Sequence, residues 1–111
     1  MSLIYHDPSI SHDEAVSLLD SGLEKHIVTA LISVGLNEQD SAWAQTVCLD
    51  HLKSGTQSVA AAAITALGHI ARRFGELEMQ VVIPALDAVQ AKFPALEASV
   101  ADTLDDIEMF T

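Results

Sequence analysis

Apolar residues recur along this chain at helical spacing almost without a break, and the pattern returns at a period of about 36 to 37 residues. A shift of about 37 positions lays Leu49 and Asp50 on Leu86 and Asp87, Leu67 on Leu104, and Ile70 on Ile107. A shift of about 36 lays Thr29, Ala30 and Leu31 on Thr65, Ala66 and Leu67, and Val34 on Ile70. A period of that length means stacked helical hairpins, each burying its apolar face on the next. The expected fold class is therefore all-α, with about six antiparallel helices arranged as three degenerate HEAT-like helix pairs. The Trp-Leu-Gly-Tyr pattern of tetratricopeptide repeats is absent. A non-repetitive helical bundle is the alternative.

Caps and glycines set the expected boundaries. Ser11 and Glu14 form a capping box that opens the first helix, which runs to about Asp20 and stops at Gly22. The second helix covers about Leu23 to Val34, with Gly35 as its stop. Asn37 and Asp40 open the third, which carries Trp43, Val47, Leu49 and Leu52 and ends at Gly55. The fourth runs from about Gln57 to Phe74, its core face reading Val59, Ala63, Leu67, Ile70 and Phe74, and ends at Gly75. Arg72 and Arg73 sit in its last turn, where cations oppose the macrodipole. The fifth spans about Glu78 to Phe93, with Pro84 inside as a kink, although Gln80 to Ile83 also reads as a short strand. The sixth starts at Pro94 and carries Leu96, Val100, Leu104 and Ile107.

The chain of 111 residues is one domain, 1–111, with 1–10 as an irregular N-terminal segment. Half of it is hydrophobic, which excludes disorder. The 16 acids and 5 bases give a formal charge of −11. Phosphate binding needs Lys and Arg, so direct nucleic-acid binding and anionic membrane are disfavoured. A basic protein partner is favoured, because complementary fields speed encounter, while plain solubility is the competing explanation. No apolar run is long enough to span a membrane, and the start lacks the basic and apolar regions of a signal peptide. The lone Cys48 forms no disulfide within the chain and fits a reducing compartment. The expected address is cytoplasmic, and the expected free state a monomer.

No catalytic constellation stands out. His6, His12, His26, His51 and His69 contain no pair at the helical spacing of a zinc site. Cys48 lies between Val47 and Leu49, an apolar setting that makes it a core residue and not a nucleophile. No phosphate loop or nucleophile elbow occurs. No cofactor and no metal are expected. The acids near the end are more informative. Asp102, Asp105 and Asp106 share a helical face opposite Val100, Leu104 and Ile107. Like charges at that spacing, close to a helix C-terminus, cost helix stability. Local propensity does not account for them. They are either a solvated face partly neutralised by Arg72 or Arg73, or a docking surface for a partner's cations. The repeat shift maps Thr65 onto Asp102 and His69 onto Asp106. Thr65, His69, Asp102, Asp105 and Asp106 are therefore expected on one continuous surface of the stack. Trp43 is read as core packing first and as an interface anchor second.

The stretch from Leu31 to Phe110 resembles small bacterial HEAT-like immunity proteins of contact-dependent growth inhibition systems. The residues that carry the resemblance are Trp43 to Gln45 with Cys48, Leu49 and Leu52, then Leu67 to Arg72 with Phe74 and Gly75, Val82 to Pro84, and Ala101 to Phe110. The resemblance implies a protein that binds the toxin domain delivered by a neighbouring bacterium. It implies further that the toxin is a basic nuclease, of RNase type, whose substrate surface is occluded. The partner-contacting residues expected under that reading are Asp102, Asp105, Asp106, His69 and Thr65. Two other readings stand beside it: a HEAT-like adaptor or assembly factor without inhibitory role, and a ligand-binding or enzymatic helical domain.

Overall fold

The structure, a computed structural model, describes residues 10–111. Most of the expected irregular segment, residues 1–9, lies outside the described residues, as does His6. Six α-helices follow: α1 (His12–Leu19), α2 (Glu24–Asn37), α3 (Ser41–Ser54), α4 (Gln57–Phe74), α5 (Met79–Lys92) and α6 (Glu97–Phe110). No strand occurs among the described residues, so the fold is all-α. The capping box of Ser11 and Glu14 is formed in both directions. Asp40 accepts from the Trp43 amide at 3.0 Å, and Thr56 from the Val59 amide at 3.4 Å. Gly75 closes α4 in the left-handed region at φ 72°, where a side chain would be strained.

The helices form two layers, with α2, α4 and α6 in one and α1, α3 and α5 in the other. In the first layer, α4 lies between α2 and α6 and also packs on α3. It is apolar nearly all round for that reason, and its buried residues run from Val59 to Ala71. The links along its flanks rise together in residue number. Thr56 bonds Glu24, Gly35 abuts Ala66, and Arg73 bonds the Glu38 carbonyl. On the other side Thr103 bonds the Ile64 carbonyl and Asp106 pairs with Arg72. So α2, α4 and α6 run parallel. The sequence separations of the hydrogen-bonded links, from 32 to 39, straddle the period read from the sequence. Leu31, Ile64, Leu67, Ile70, Leu86 and Ile107 are the largest fully buried side chains, each contributing about 1.5–3 kcal/mol.

Three expected boundaries are corrected. Gly35 does not stop α2, which continues to Asn37. Gly35 is buried against α4, and a Cβ there would come within 2.7 Å of the Ala66 Cα. Its smallness serves the approach of two helices and not a turn. Asn37 consequently ends α2, and Asp40 alone caps α3. Pro94 opens a 3₁₀ turn, Pro94–Leu96, and α6 begins at Glu97. The stretch from Gln80 to Ile83 is helical, and α5 continues through Pro84. Here tertiary packing of Val82 and Leu86, both fully buried, decides over β-propensity.

Two polar ties fix the layers. Buried Gln45 of α3 donates to the Glu78 carboxylate at 2.9 Å and accepts from the Glu78 amide at 2.8 Å, capping α5 from outside. Arg73 donates to the carbonyls of Gly35 at 3.0 Å and Glu38 at 2.7 Å. Its charge thus sits on the C-terminal end of α2, in addition to the last turn of its own helix.

Candidate functional site

The open surface of the first layer is built from positions one repeat apart. On α4, Thr65 is exposed and His69 half-buried, and Arg72 and Arg73 follow at its end. On α6, Asp102 and Asp105 are exposed. Asp106 is turned toward α4, where Arg72 Nη2 lies 3.0 Å from its Oδ1. The carboxylate is only 25% exposed because its other oxygen faces Gly68, the one residue of α4 small enough to admit it. The three aspartates are therefore not one uniform solvated patch. Asp106 is neutralised at the α4–α6 seam, while Asp102 and Asp105 project outward with no ion pair or hydrogen bond among the described residues. Thr65 and Asp102 share the surface without bonding to each other.

His69 sits in a mixed field. Its pKa lies below the ordinary histidine value, first because burial disfavours the imidazolium and then because Arg72 and Arg73 repel it. Asp106 pulls the other way and does not overcome them. The ring is thus neutral near pH 7 and presents a donor and an acceptor to whatever docks there.

The sequence reading missed the apolar members of this surface. Ile32 and Leu36 of α2 are 38% and 39% exposed, and Met109 and Phe110 of α6 are 75% and 43% exposed. Arg72 also lies 6.0 Å from the Phe110 ring centre. A signal was available: Ile32 and Leu36 lie off the buried stripe of Leu31 and Val34, one period before His69 and Arg72. The surface thus has an apolar margin on α2, a neutral histidine in the middle, and free carboxylates on α6. Trp43 is elsewhere. It is half-buried between α1 and α3, its ring 4.2 Å from that of His12, and it packs on the core.

Cys48 is fully buried, and burial pushes its thiol up to about 12. No group of three or more His, Cys, Asp or Glu side chains that could hold a metal ion occurs among the described residues. No helix among them is long and apolar enough to cross a membrane.

No protein-family model and no curated protein matches the chain. A solved structure does. The chain is similar to a chain in the crystal structure of a CDI complex from Cupriavidus taiwanensis LMG 19424, with a TM-score of 0.81 and 27% sequence identity. The similarity covers 98% of this chain and 98% of that one. The protein therefore shares its whole architecture, end to end, with a component of a CDI complex.

Proposed function

We propose that this protein is the immunity component of a contact-dependent growth inhibition pair, which binds and neutralises its cognate toxin domain. The observation that carries the reading is the end-to-end similarity to a chain of a CDI complex. The charge adds to it. A chain at −11 is suited to a basic partner, and a nuclease is basic because it grips phosphate. We take the toxin to be a nuclease of RNase type, the helix pairs to be HEAT-like, and the protein to act as a cytoplasmic monomer until it meets its partner. Inhibition needs no chemistry from this chain, only occupancy of the surface that would hold nucleic acid.

The α4–α6 surface is the docking face in this reading. Asp102 and Asp105 steer a cationic partner, His69 and Thr65 offer hydrogen bonds, and Asp106 holds Arg72 in place. The test is to purify the protein with the toxin domain encoded beside it and assay that domain's nuclease activity at increasing ratios. Activity lost at one equivalent supports the reading. Capture without inhibition would make the protein an adaptor. For the site, Asp102→Lys with Asp105→Lys should slow association about tenfold and flatten its salt dependence while leaving the fold intact. An unchanged association rate would move the interface elsewhere.

A further inference from the structure

The second layer carries two grooves at equivalent places in successive repeats, and they differ in content. The first, between α1 and α3, is lined by Val16, Leu19, Asp20, Trp43, Val47 and His51. The second, between α3 and α5, is lined by Leu52, Lys53 and a run of α5 from Gln80 to Lys92. The shift of about 37 that aligns Leu49 and Asp50 with Leu86 and Asp87 places Trp43, Val47 and His51 on Gln80, Pro84 and Ala88. An indole and an imidazole are thus replaced by an amide and a methyl. The His51 ring is held by the Val47 carbonyl at 2.8 Å, so the first groove is filled by fixed side chains. Its volume is about 290 Å³, against about 540 Å³ for the second.

The second groove is also distinct in charge. The first is rimmed by an acid, Asp20, and the second by Lys53 and Lys92. These are two of only five basic residues in the chain. Arg72 and Arg73 are engaged with Asp106 and with the end of α2. The Lys92 ammonium is steadied 5.2 Å over the Phe93 ring, and Lys53 has no ion pair among the described residues. The floor is apolar, with Val81 42% exposed and Leu52 and Val89 buried beneath. Pro84 supplies no N–H, so the Gln80 carbonyl in the same lining lacks its helical donor. Apolar floor and cationic rims together describe what would fit.

We infer that the α3–α5 groove is a second interaction site, for a protein partner's acidic segment that carries leucine- or phenylalanine-sized side chains between carboxylates. Such a segment would seat its apolar groups on Val81, Ala85 and Val89, and pair its carboxylates with Lys53 and Lys92. The site is opposite in charge preference to the α4–α6 surface and lies in the other layer. It therefore holds whether or not a basic toxin docks on that surface, and the two readings fail separately.

The probe is a blocked twelve-residue peptide with two leucines and a phenylalanine spaced between glutamates, titrated into the ¹⁵N-labelled protein at physiological salt. The expected result is saturable movement of the amide signals of Lys53, Val81, Ala85 and Ala88. Ala88→Trp, which refills the groove as His51 fills the first, should weaken binding by about tenfold or more. So should Lys53→Gln combined with Lys92→Gln, at exposed positions where the neutral amide keeps the fold, should the tryptophan disturb it. The inference is overturned if the peptide moves signals elsewhere or none, or if both variants bind as the parent does. It is also overturned if a peptide with lysines in place of the glutamates binds equally well. Sedimentation without peptide completes the test: a dimer that Ala88→Trp dissociates would show the occupant to be a second copy, against the inference.

Discussion

Replacing Gly35 by alanine sets two physical effects against each other at one position. Gly35 lies inside α2, where alanine is favoured by about 1 kcal/mol on helix propensity. Propensity alone therefore predicts a more stable protein. The packing predicts the reverse. A Cβ at Gly35 would stand 2.7 Å from the Ala66 Cα, 2.9 Å from its Cβ and 3.1 Å from its carbonyl oxygen. These are largely backbone atoms of α4, which is held on three sides, so no side chain can swing away. Overpacking of this kind costs about 1–3 kcal/mol, and rigid backbone on both sides puts the site toward the upper end. The net expectation is a loss of about 1–2 kcal/mol, or a fall in Tm of roughly 5–15 °C for a domain of this size. Urea titration at pH 7, followed by circular dichroism, reads the free energy directly, and calorimetry gives the Tm. The contrast is Gly68→Ala. There the new methyl would meet Asp106 Oδ2 at 3.1 Å and Thr103 Oγ1 at 3.3 Å, which are side-chain ends. That variant should stay within about 1 kcal/mol of the parent, since helix propensity offsets a smaller clash. A Gly35→Ala protein as stable as the parent, or more so, would refute the claim that α2 and α4 touch through this residue.

Other expectations follow from single contacts. Gln45→Ala removes both bonds to Glu78 and should cost about 1–2 kcal/mol, with the Glu78 amide exchanging faster with deuterium than in the parent. The buried Cys48 thiol, pushed up to about 12 from its ordinary 9.0, keeps its proton more firmly folded than unfolded. Its contribution to stability is therefore full below about pH 9 and is lost as the pH rises toward about 12, at no more than about 1.4 kcal/mol per pH unit. Urea midpoints of the parent and of Cys48→Ala should accordingly converge between neutral and alkaline pH. Asp106→Asn removes the one carboxylate that favours the His69 imidazolium and leaves both arginines, so the His69 pKa should fall further. An NMR titration of the ring that moved upward instead would contradict the field described here.

The all-helical class was legible in the sequence because local signals and tertiary need agree there. Ser11, Asp40, Thr56 and Gly75 each cap where their side chains or backbone freedom allow, and α4 matched its expected span from Gln57 to Phe74. Gly35 was misread because a glycine has two uses, ending a helix or letting another approach, and one sequence does not separate them. Arg72 and Arg73 sit in the last turn of α4 as expected, and Arg72 neutralises Asp106, but the reach of Arg73 was not legible. Position in the last turn of α4 predicts a local role, whereas the guanidinium of Arg73 reaches the end of α2, 38 residues away at Gly35. At the candidate site the repeat shift paired His69 with Asp106, and Asp106 lies near enough to act on the His69 ring. The turning of Asp106 into the seam was not legible, because it depends on the missing side chain at Gly68. The exposed Ile32, Leu36 and Met109 could not be told from core by residue type alone.

The parallel stacking of α2, α4 and α6 has a kinetic consequence. Among the described residues, the side-chain ties between the helices join positions less than 40 apart. Loop closures of that reach are short for a chain of 111 residues, and low contact order goes with folding in microseconds to milliseconds. Folding can begin wherever α4 first meets a neighbour and spread outward one helix pair at a time. The folded surface is thus complete within moments of synthesis, with the rate of translation and not the rate of folding setting the delay.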